Sequence, residues 1–546
     1  MKHTKTIASL LVFAILLTGC ATPTPTQPTG APTAAPTTPS TEAPTAPPTM
    51  PPTEAPTELP TEAPTEAATE TPAADGTVAI TLGDEAILVG GTPAGTDPEG
   101  AVYIANDIVY YEAGHDFTYG EGEESDEHTA DEAAAHTVVH ITEAGIYRLT
   151  GKLSKGQIAV DLGDNAKEDP EAVVTLILDG VDITCDVAPA VIFYNVYECG
   201  STDQETATYE VDTSAAGANV IIADGTENTV RGSHVARIYK PGTVELNASG
   251  TAVEDAKKLH KYDAAFYSRK TMNVTGGELG TGVLNIYADN EGLDSELHLT
   301  INGGNINIFS GNDGINTNED GISVTTINGG NLKILVTGET GEGDGIDSNG
   351  WLVFNGGTVI TAACSFSADA GIDSDMGIYL NGGTVISTGG MLDHIVTGGQ
   401  NYVVFSFAQK QNGMNTVTLK NEAGEAILSH RPENNFTIMV FTSPDLVEGT
   451  YTLWSNDVQQ AGITGGVEGF PGMPGGPGGP GGHGRPGGSM PPAGGEPPVG
   501  GEPPMGNEPP MGDMPPSGQA PNSQEDSTAF VILGNENTFS QVGPAA

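Results

Sequence analysis

Ile301-Asn302-Gly303-Gly304 recurs as Ile327-Asn328-Gly329-Gly330, Phe354-Asn355-Gly356-Gly357 and Leu380-Asn381-Gly382-Gly383, and the variant Val274-Thr275-Gly276-Gly277 precedes them. The first glycines lie 27, 26, 27 and 26 residues apart. Short alternating segments flank each Gly-Gly, as Leu297 to Ile301 and Asn305 to Phe309 do, so each repeat reads as strand, turn, strand and loop. A fixed period of this size signals stacked structural units. Paired helices are excluded, because the segments are too short, too β-branched and too rich in glycine. A propeller blade needs four strands in roughly 40 residues, more than these repeats hold. The expected fold is all-β, a parallel β-helix in which each coil adds one rung to continuous sheets. Inward Ile, Val and Leu stack along the axis, and glycine supplies turn conformations that side chains forbid.

A second motif runs through the same coils: Asn290-Glu291-Gly292-Leu293-Asp294-Ser295, Asn312-Asp313-Gly314-Ile315-Asn316-Thr317, Gly343-Asp344-Gly345-Ile346-Asp347-Ser348 and Asp369-Ala370-Gly371-Ile372-Asp373-Ser374. Stacking sets these segments one above another, so their oxygens form a column along one corner. Calcium takes about six to eight oxygens from carboxylates, amides and carbonyls in loose geometry, and such a column supplies them. The expected ligands are Asp313, Asn316, Asn318 and Asp320, the densest cluster, with Asp344 and Asp347 one coil on and Asp373 beyond. Residues 271 to 409 hold sixteen acids and one base, Lys333, so no cation from these coils neutralises the column. The competing reading is turn chemistry: Asp, Asn and Gly also occupy corners for local hydrogen bonds, and Asn ladders stabilise stacked coils without metal.

Upstream, Gly145 to Gly151, Val173 to Val181 and Asn219 to Asp224 read as strands at wider spacing, with Tyr194 to Val211 projecting as a loop. The coils are expected to start near Thr77, irregularly, since the end of a solenoid has to be capped. The acidic stretch Glu121 to Glu132 reads as a solvated surface loop. After residue 399 the period stops. Tyr402 to Phe407, Thr416 to Lys420, Phe436 to Phe441 and Tyr451 to Trp454 suggest a small antiparallel β unit closing the far end. Residues 466–526, rich in Gly, Pro and Met, read as a flexible insertion, because Phe530-Val531-Ile532-Leu533 and Phe539 to Val542 look like strands returning to that unit.

The first residues have the order of an export signal: Lys2, His3 and Lys5, an apolar run from Ile7 to Leu17, then Leu17-Thr18-Gly19-Cys20. The run is far short of the roughly 20 residues of a membrane-crossing helix. The ending looks like a bacterial lipobox, which makes Cys20 the expected lipidation site and lipid the only membrane contact. Residues 21–75 are almost entirely Thr, Pro, Ala and Glu, a composition that cannot bury a core. Extended at ~3.1 Å per residue, this stalk holds a domain on the order of 150 Å from its anchor. The expected division is thus 1–20 signal, 21–75 stalk, 76–398 β-helix, 399–465 C-terminal β unit, 466–526 insertion and 527–546 returning strands. With 71 acidic and 19 basic residues, the chain should repel nucleic acid and anionic lipid and attract divalent cations. Beyond Cys20, only Cys185, Cys199 and Cys364 remain, which argues against a disulfide framework or a zinc site and leaves a Cys185–Cys199 bridge open.

Asp263-Ala264-Ala265-Phe266-Tyr267-Ser268-Arg269-Lys270, the Asn/Thr-Gly-Gly turns, the Asp-Gly-Ile-Asn and Asp-Gly-Ile-Asp corners, and Ser443-Pro444-Asp445-Leu446 followed by Gly449-Thr450-Tyr451-Thr452 occur here in one order. In that order the segments resemble the bacterial family of carbohydrate-binding parallel β-helix proteins, clostridial in type and pectate lyase-like in fold. The likeness covers roughly residues 77 to 465 and 527 to 543. It implies a right-handed parallel β-helix with calcium sites that binds cellulose and acidic sugars such as polygalacturonate, without established catalysis. Asp313, Asn318, Glu319 and Asp320 match the family's acidic corner, and Asp344 matches the next coil's. Asn290-Glu291-Gly292 and Asp369-Ala370-Gly371 lack the Asp-Gly pair, so ligation is not carried over there.

The expected function is calcium-assisted, non-catalytic binding of polysaccharide at the bacterial cell surface. Calcium would bridge protein carboxylates to uronates of the same sign. Neutral chains would stack on aromatic faces, for which Trp351, Tyr379 and Tyr287 are the candidates. The alternatives are a lyase-like enzyme and a scaffold for protein partners, since one fold hosts many functions. Elimination needs a strong base beside the cation. Arg269 and Lys270 are the only neighbours in sequence that offer one, and adjacent residues on a strand point to opposite faces.

Overall fold

A computed structural model describes residues 76–464 and 528–545. Cys20, the signal and stalk segments and the 466–526 insertion lie outside the described residues. Helix is confined to Ala130–Ala134 and a 3-10 turn at Ala166–Glu168 among the described residues, none long and apolar enough to cross a membrane. The short helix corrects the expectation of a plain loop between Glu121 and Glu132. Thr129 accepts from Glu132 N through its hydroxyl, and the Glu132 carboxylate accepts from Thr129 N, so a reciprocal cap starts the helix.

The remaining architecture is all-β, built from three ladders of parallel strands. The first runs through Val78–Leu82, Gly145–Leu153, Val174–Cys185, Ala218–Ile222, Met272–Gly276, His298–Ile301, Val324–Ile327, Trp351–Phe354 and Gly377–Leu380. The second takes the far halves of the two long strands and continues through Glu227–Gly232, Val283–Ala288, Asn305–Ser310, Asn331–Val336, Thr358–Ala362 and Thr384–Gly389. The third links Thr137–Ile141, Gly156–Asp161, Val191–Asn195, Ala264–Ser268, Glu291–Ser295 and Ile315–Thr317. Its presence refines the strand-turn-strand-loop reading, because the acidic corner segments at 291–295 and 315–317 are themselves strands.

The register explains the repeat. His298, Leu299, Thr300 and Ile301 pair with Val324, Thr325, Thr326 and Ile327 of the next coil, and these with Trp351, Leu352, Val353 and Phe354. Equivalent positions therefore stack directly, and one residue type at one repeat position becomes a column. Leu299, Ile301, Ile306, Ile308 and Ile315 of a single coil are all buried. At about 1.5–3 kcal/mol for each fully buried aliphatic side chain, that interior stack is the main stabilising term. Between the first two ladders the second glycine of each Asn-Gly-Gly turn has a left-handed backbone, with φ of 97° at Gly304, 86° at Gly330, 80° at Gly357 and 83° at Gly383. That conformation is why the turn ends in glycine.

The second ladder ends against an antiparallel strand, Phe436–Thr442, which also pairs antiparallel with Tyr402–Gln411. Val417–Asn421, Gly449–Ser455 and Phe530–Ile532 form an adjoining antiparallel group, while Thr538–Pro544 runs parallel to Tyr402–Gln411. Phe405, Phe407, Phe436, Phe530 and Phe539 pack into a core of their own. Covering the last rung in this way removes an open sheet edge that would otherwise template further pairing. Cys185, Cys199 and Cys364 are free thiols, so the bridge left open by spacing is not formed.

Candidate functional site

The third ladder places the acidic motif. Leu293, Asp294 and Ser295 pair with Ile315, Asn316 and Thr317, and Ile315 bridges to Ile346. Asp347 N donates to Ile315 O over 2.8 Å, and Asp373 N to Ile346 O over 2.7 Å. Asp294, Asn316, Asp347 and Asp373 thus rise coil by coil at one motif position, with Glu291, Asp313 and Asp344 three residues earlier in the first three and Ala370 in the fourth. The motif glycine permits this stacking: a Cβ on Gly314 would stand 2.5 Å from Gly345 O, and one on Gly292 would stand 2.6 Å from Gly314 O.

Not every expected ligand is free for a cation. Asp313 Oδ1 accepts from Asp344 N at 2.7 Å, Asp344 Oδ1 accepts from Ala370 N, and Asp369 Oδ2 accepts from Gly343 N at 2.6 Å. These carboxyls tie one coil to the next. Asp320 is exposed and accepts from Asn349 Nδ2 at 2.8 Å, so it stands apart from the buried cluster. Asn318 sits between the groups, donating to Asp294 Oδ1 at 2.6 Å while accepting from Lys261 Nζ.

Two of three buried oxygens that no resident donor satisfies lie one coil earlier than spacing suggested. Glu291 Oε2, Asp294 Oδ2 and Asn316 Oδ1 are buried and accept from no amide, hydroxyl or backbone N–H, while the Glu291 and Asp294 carboxyls hydrogen-bond to each other when one of them holds a proton. Glu291 Oε1 accepts from Asn316 Nδ2 at 3.1 Å. Of these three residues only Asn316 was anticipated. The motif alignment puts Asp294 at the position of Asn316, Asp347 and Asp373, but ligation was not carried over to its coil, Glu291 included, because that coil lacks the Asp-Gly pair. Among the described residues no three His, Cys, Asp or Glu side chains already converge as a metal-binding group does.

Neutralising charge reaches the column from outside the repeat. Lys261 Nζ lies 3.9 Å from Asp263 Oδ2, and Arg237 Nη2 donates to the same oxygen at 3.2 Å. Both come from the segment between the second and third ladders, where Val235 bridges Tyr262. Proximity in sequence, which singles out Arg269 and Lys270, does not reveal these two bases. Burial alone would lower the lysine, but Glu291, Asp294 and Asp263 outweigh it and hold the ammonium above its ordinary range. Burial likewise opposes the Arg237 charge, and Asp263 and Glu121 restore it.

One ammonium does not balance the column. Burial, then Asp263, pushes Glu291 up; burial, then Glu291, raises Asp294 well above the carboxylate range. Asp313 and Asp344 are raised well above that range, by burial first and then by Asp347 and Asp313 respectively. Burial and Asp375 bring Asp347 to about 7, and burial and Asp393 bring Asp373 to about 9. Buried like charges without enough counter-ions hold protons instead.

The aromatic candidates separate. Trp351 is buried, packed with Val324 and Val353 beneath Ala207, Tyr209 and Val211, so its face is given to packing and the expectation of an open platform there is corrected. Tyr379 stacks on Tyr209, with ring centres 4.1 Å apart. Tyr209 was not anticipated, because only the fold brings the 201–214 segment across the first ladder. Tyr287 is exposed, stacks on Phe309 at 5.0 Å, and lies beneath the Arg231 guanidinium at 4.6 Å.

No curated protein matches the chain. Among solved structures, a polysaccharide lyase-like protein from C. thermocellum is similar at 19% identity, with a TM-score of 0.35, over 59% of this chain and 95% of that one. The family model for carbohydrate-binding domain-containing proteins matches residues 135–424, which take in most of the three ladders and the whole acidic column. On that match, over half of its length, the chain belongs to the carbohydrate-binding domain-containing protein family.

Proposed function

We propose that this protein is a non-catalytic, calcium-assisted polysaccharide binder, held on the bacterial surface by lipid at Cys20 and presented by the 21–75 stalk. In this reading the three ladders are the faces of a right-handed parallel β-helix. The observation that carries it is the set of buried oxygens on Glu291, Asp294 and Asn316 that no amide, hydroxyl or backbone N–H satisfies, within a carbohydrate-binding family member. The donor set fits a hard cation, for it consists of carboxylate and amide oxygens. Glu291, Asp294 and Asn316 would hold calcium there, with Asn318 beside them. Asp347 and Asp373 extend the column, while Asp313 and Asp344 give part of their capacity to coil-to-coil bonds. Bound calcium would supply positive charge that lets an acidic glycan approach a chain carrying 71 acids. Exposed Tyr287, under Arg231, offers a second contact suited to a sugar ring bearing a carboxylate.

Non-catalytic binding is favoured by the state of the two bases beside the column, whereas burial lowers Lys270, which is the residue a catalytic reading would name. Lys261 and Arg237 are both held protonated by neighbouring carboxylates, and a protonated group cannot abstract the proton that elimination removes. The test is calorimetry of the whole protein with polygalacturonate and with cello-oligosaccharides, in calcium and then in chelator, with absorbance followed for unsaturated products. Polygalacturonate binding that requires calcium and leaves absorbance unchanged is the expected result. New absorbance would make the protein a lyase, and absence of binding to both glycans would leave a scaffold for protein partners.

A further inference from the structure

A groove of about 590 Å³ runs along the outer face of the first ladder, far in chemistry from the acidic column. Two rows of side chains make its floor. Asn273, Thr300, Thr326 and Val353 are successive register partners, and Asn302, Asn328 and Asn355 lie two residues further along from Thr300 onward, with Asn381 continuing the second row. Residues two apart on a strand share a face, so the rows run side by side. The wall is the 209–214 segment, fastened by Asn273 Nδ2 to Thr213 O at 2.8 Å and Thr213 Oγ1 to Thr300 Oγ1 at 2.8 Å.

The asparagine row is a ladder with spare capacity. Asn328, Asn355 and Asn381 each donate Nδ2 to Oδ1 of the preceding asparagine, at 2.9, 2.9 and 3.0 Å. Each amide has two N–H donors and an oxygen with two lone pairs, so an outward donor and acceptor remain at every coil. The pairs repeat at the inter-strand spacing of about 4.8 Å, close to the length of one sugar residue in an extended chain. One acceptor beneath the groove floor is left unsatisfied within the fold. Asn273 lines the groove, is 7% exposed, and its Oδ1 has no hydrogen-bond partner although its amide nitrogen has two. An acceptor buried in this way is costly unless a donor reaches it.

Charge selects the occupant. Glu210 and Asp212 are the only ionisable acids along the groove, and no lysine, arginine or histidine lines it. The Ser214 hydroxyl and N–H hold the Asp212 carboxyl below its ordinary range, so it stays charged. A uronate chain would meet repulsion with nothing to offset it. We propose that this groove binds a neutral polysaccharide strand lying along the stack, its hydroxyls exchanging hydrogen bonds with the outward donors and acceptors of the asparagine ladder.

This site rests on the polysaccharide-binding reading and divides it: neutral chains lie here, and acidic chains at the calcium column. The probes are cellohexaose and hexagalacturonate, titrated calorimetrically into the whole protein with calcium and with chelator. Cellohexaose should bind equally in both conditions. Asn328→Leu with Asn355→Leu should weaken it about tenfold or more, the equivalent of one or two hydrogen bonds, and leave hexagalacturonate within about twofold. If that double variant does not melt cooperatively, Tyr209→Ala, in the wall, should weaken cellohexaose alone by about threefold or more. Unchanged cellohexaose affinity in a folded variant overturns the site. So does a protein that binds hexagalacturonate and ignores cellohexaose. Failure to bind either sugar overturns the functional reading itself.

Discussion

The backbone N–H of Asp344 donates to Oδ1 of Asp313, one coil away, across 2.7 Å. Asp313 therefore works as a coil-to-coil acceptor whether or not a cation is present, and burial keeps its carboxyl protonated well above the usual range. Asp313→Asn retains an acceptor and should change stability in chelator by less than about 1 kcal/mol, while Asp313→Leu strands the Asp344 N–H and should cost about 1–3 kcal/mol. Urea unfolding of both variants decides this. Equal costs would mean the bond contributes nothing.

The column should make the cation-free protein sensitive to base. Asp347 titrates near 7 and Asp373 near 9 in the folded chain, both above the roughly 4 of an unfolded aspartate. The folded state then binds more protons between those values, so stability falls as pH rises. The contribution is complete below about pH 4 and is lost as pH climbs through about 7 and about 9. In chelator, the melting temperature should drop from pH 5 to pH 9. Calcium should abolish that slope, because it binds the ionised column and releases the protons. A melting temperature in chelator that is flat or rising over this window would show that the column ionises without a cation.

Lys261 is the resident cation of the same cluster, and its removal should reveal competition with calcium. Lys261→Met takes one positive charge from beside Glu291, Asp294 and Asp263. With the side chain one quarter exposed, the loss should be about 1–3 kcal/mol in chelator, below that of a fully buried pair. Calcium should recover most of it and bind more tightly than in the unaltered protein. Calorimetry that finds calcium affinity unchanged or weaker would show the ammonium to be independent of the cation site.

The stacking was legible because it repeats. Asn302, Asn328, Asn355 and Asn381 stand at one period, and that period places them in a hydrogen-bonded ladder. The third strand of each coil was less visible, since Ile315–Thr317 is three residues long and is flanked by Asp and Gly that read as turn. The site was legible only in its columns. What crosses between segments distant in sequence was not: Lys261 reaches Asn318 over 57 residues, and Thr213 reaches Thr300 over 87. Such contacts come from insertions packed onto the coils, and insertions carry no period. Trp351 illustrates the same limit, because its place in the repeat predicts an outward face but not the 201–214 segment that covers it.

The motif glycines make a sharper test of the stack than any polar residue. A methyl on Gly314 would meet Gly345 O at 2.5 Å and crowd Ile334 still more closely, and the carbonyl belongs to the backbone of the next coil and cannot swing aside. Gly303, in the Asn-Gly-Gly turn of the same coil, has its nearest neighbour at 3.5 Å, an ordinary contact. Both positions are glycine in a repeated motif, so the repeat alone gives no reason to treat them differently. The packing does. Gly314→Ala should destabilise by about 2–3 kcal/mol, as overpacking in a close-packed interior does, and Gly303→Ala should stay within about 0.5 kcal/mol. Denaturant midpoints of the two variants, measured side by side in calcium, check this. Tolerance of alanine at Gly314 would mean that adjacent coils stand further apart at this corner than 2.5 Å allows.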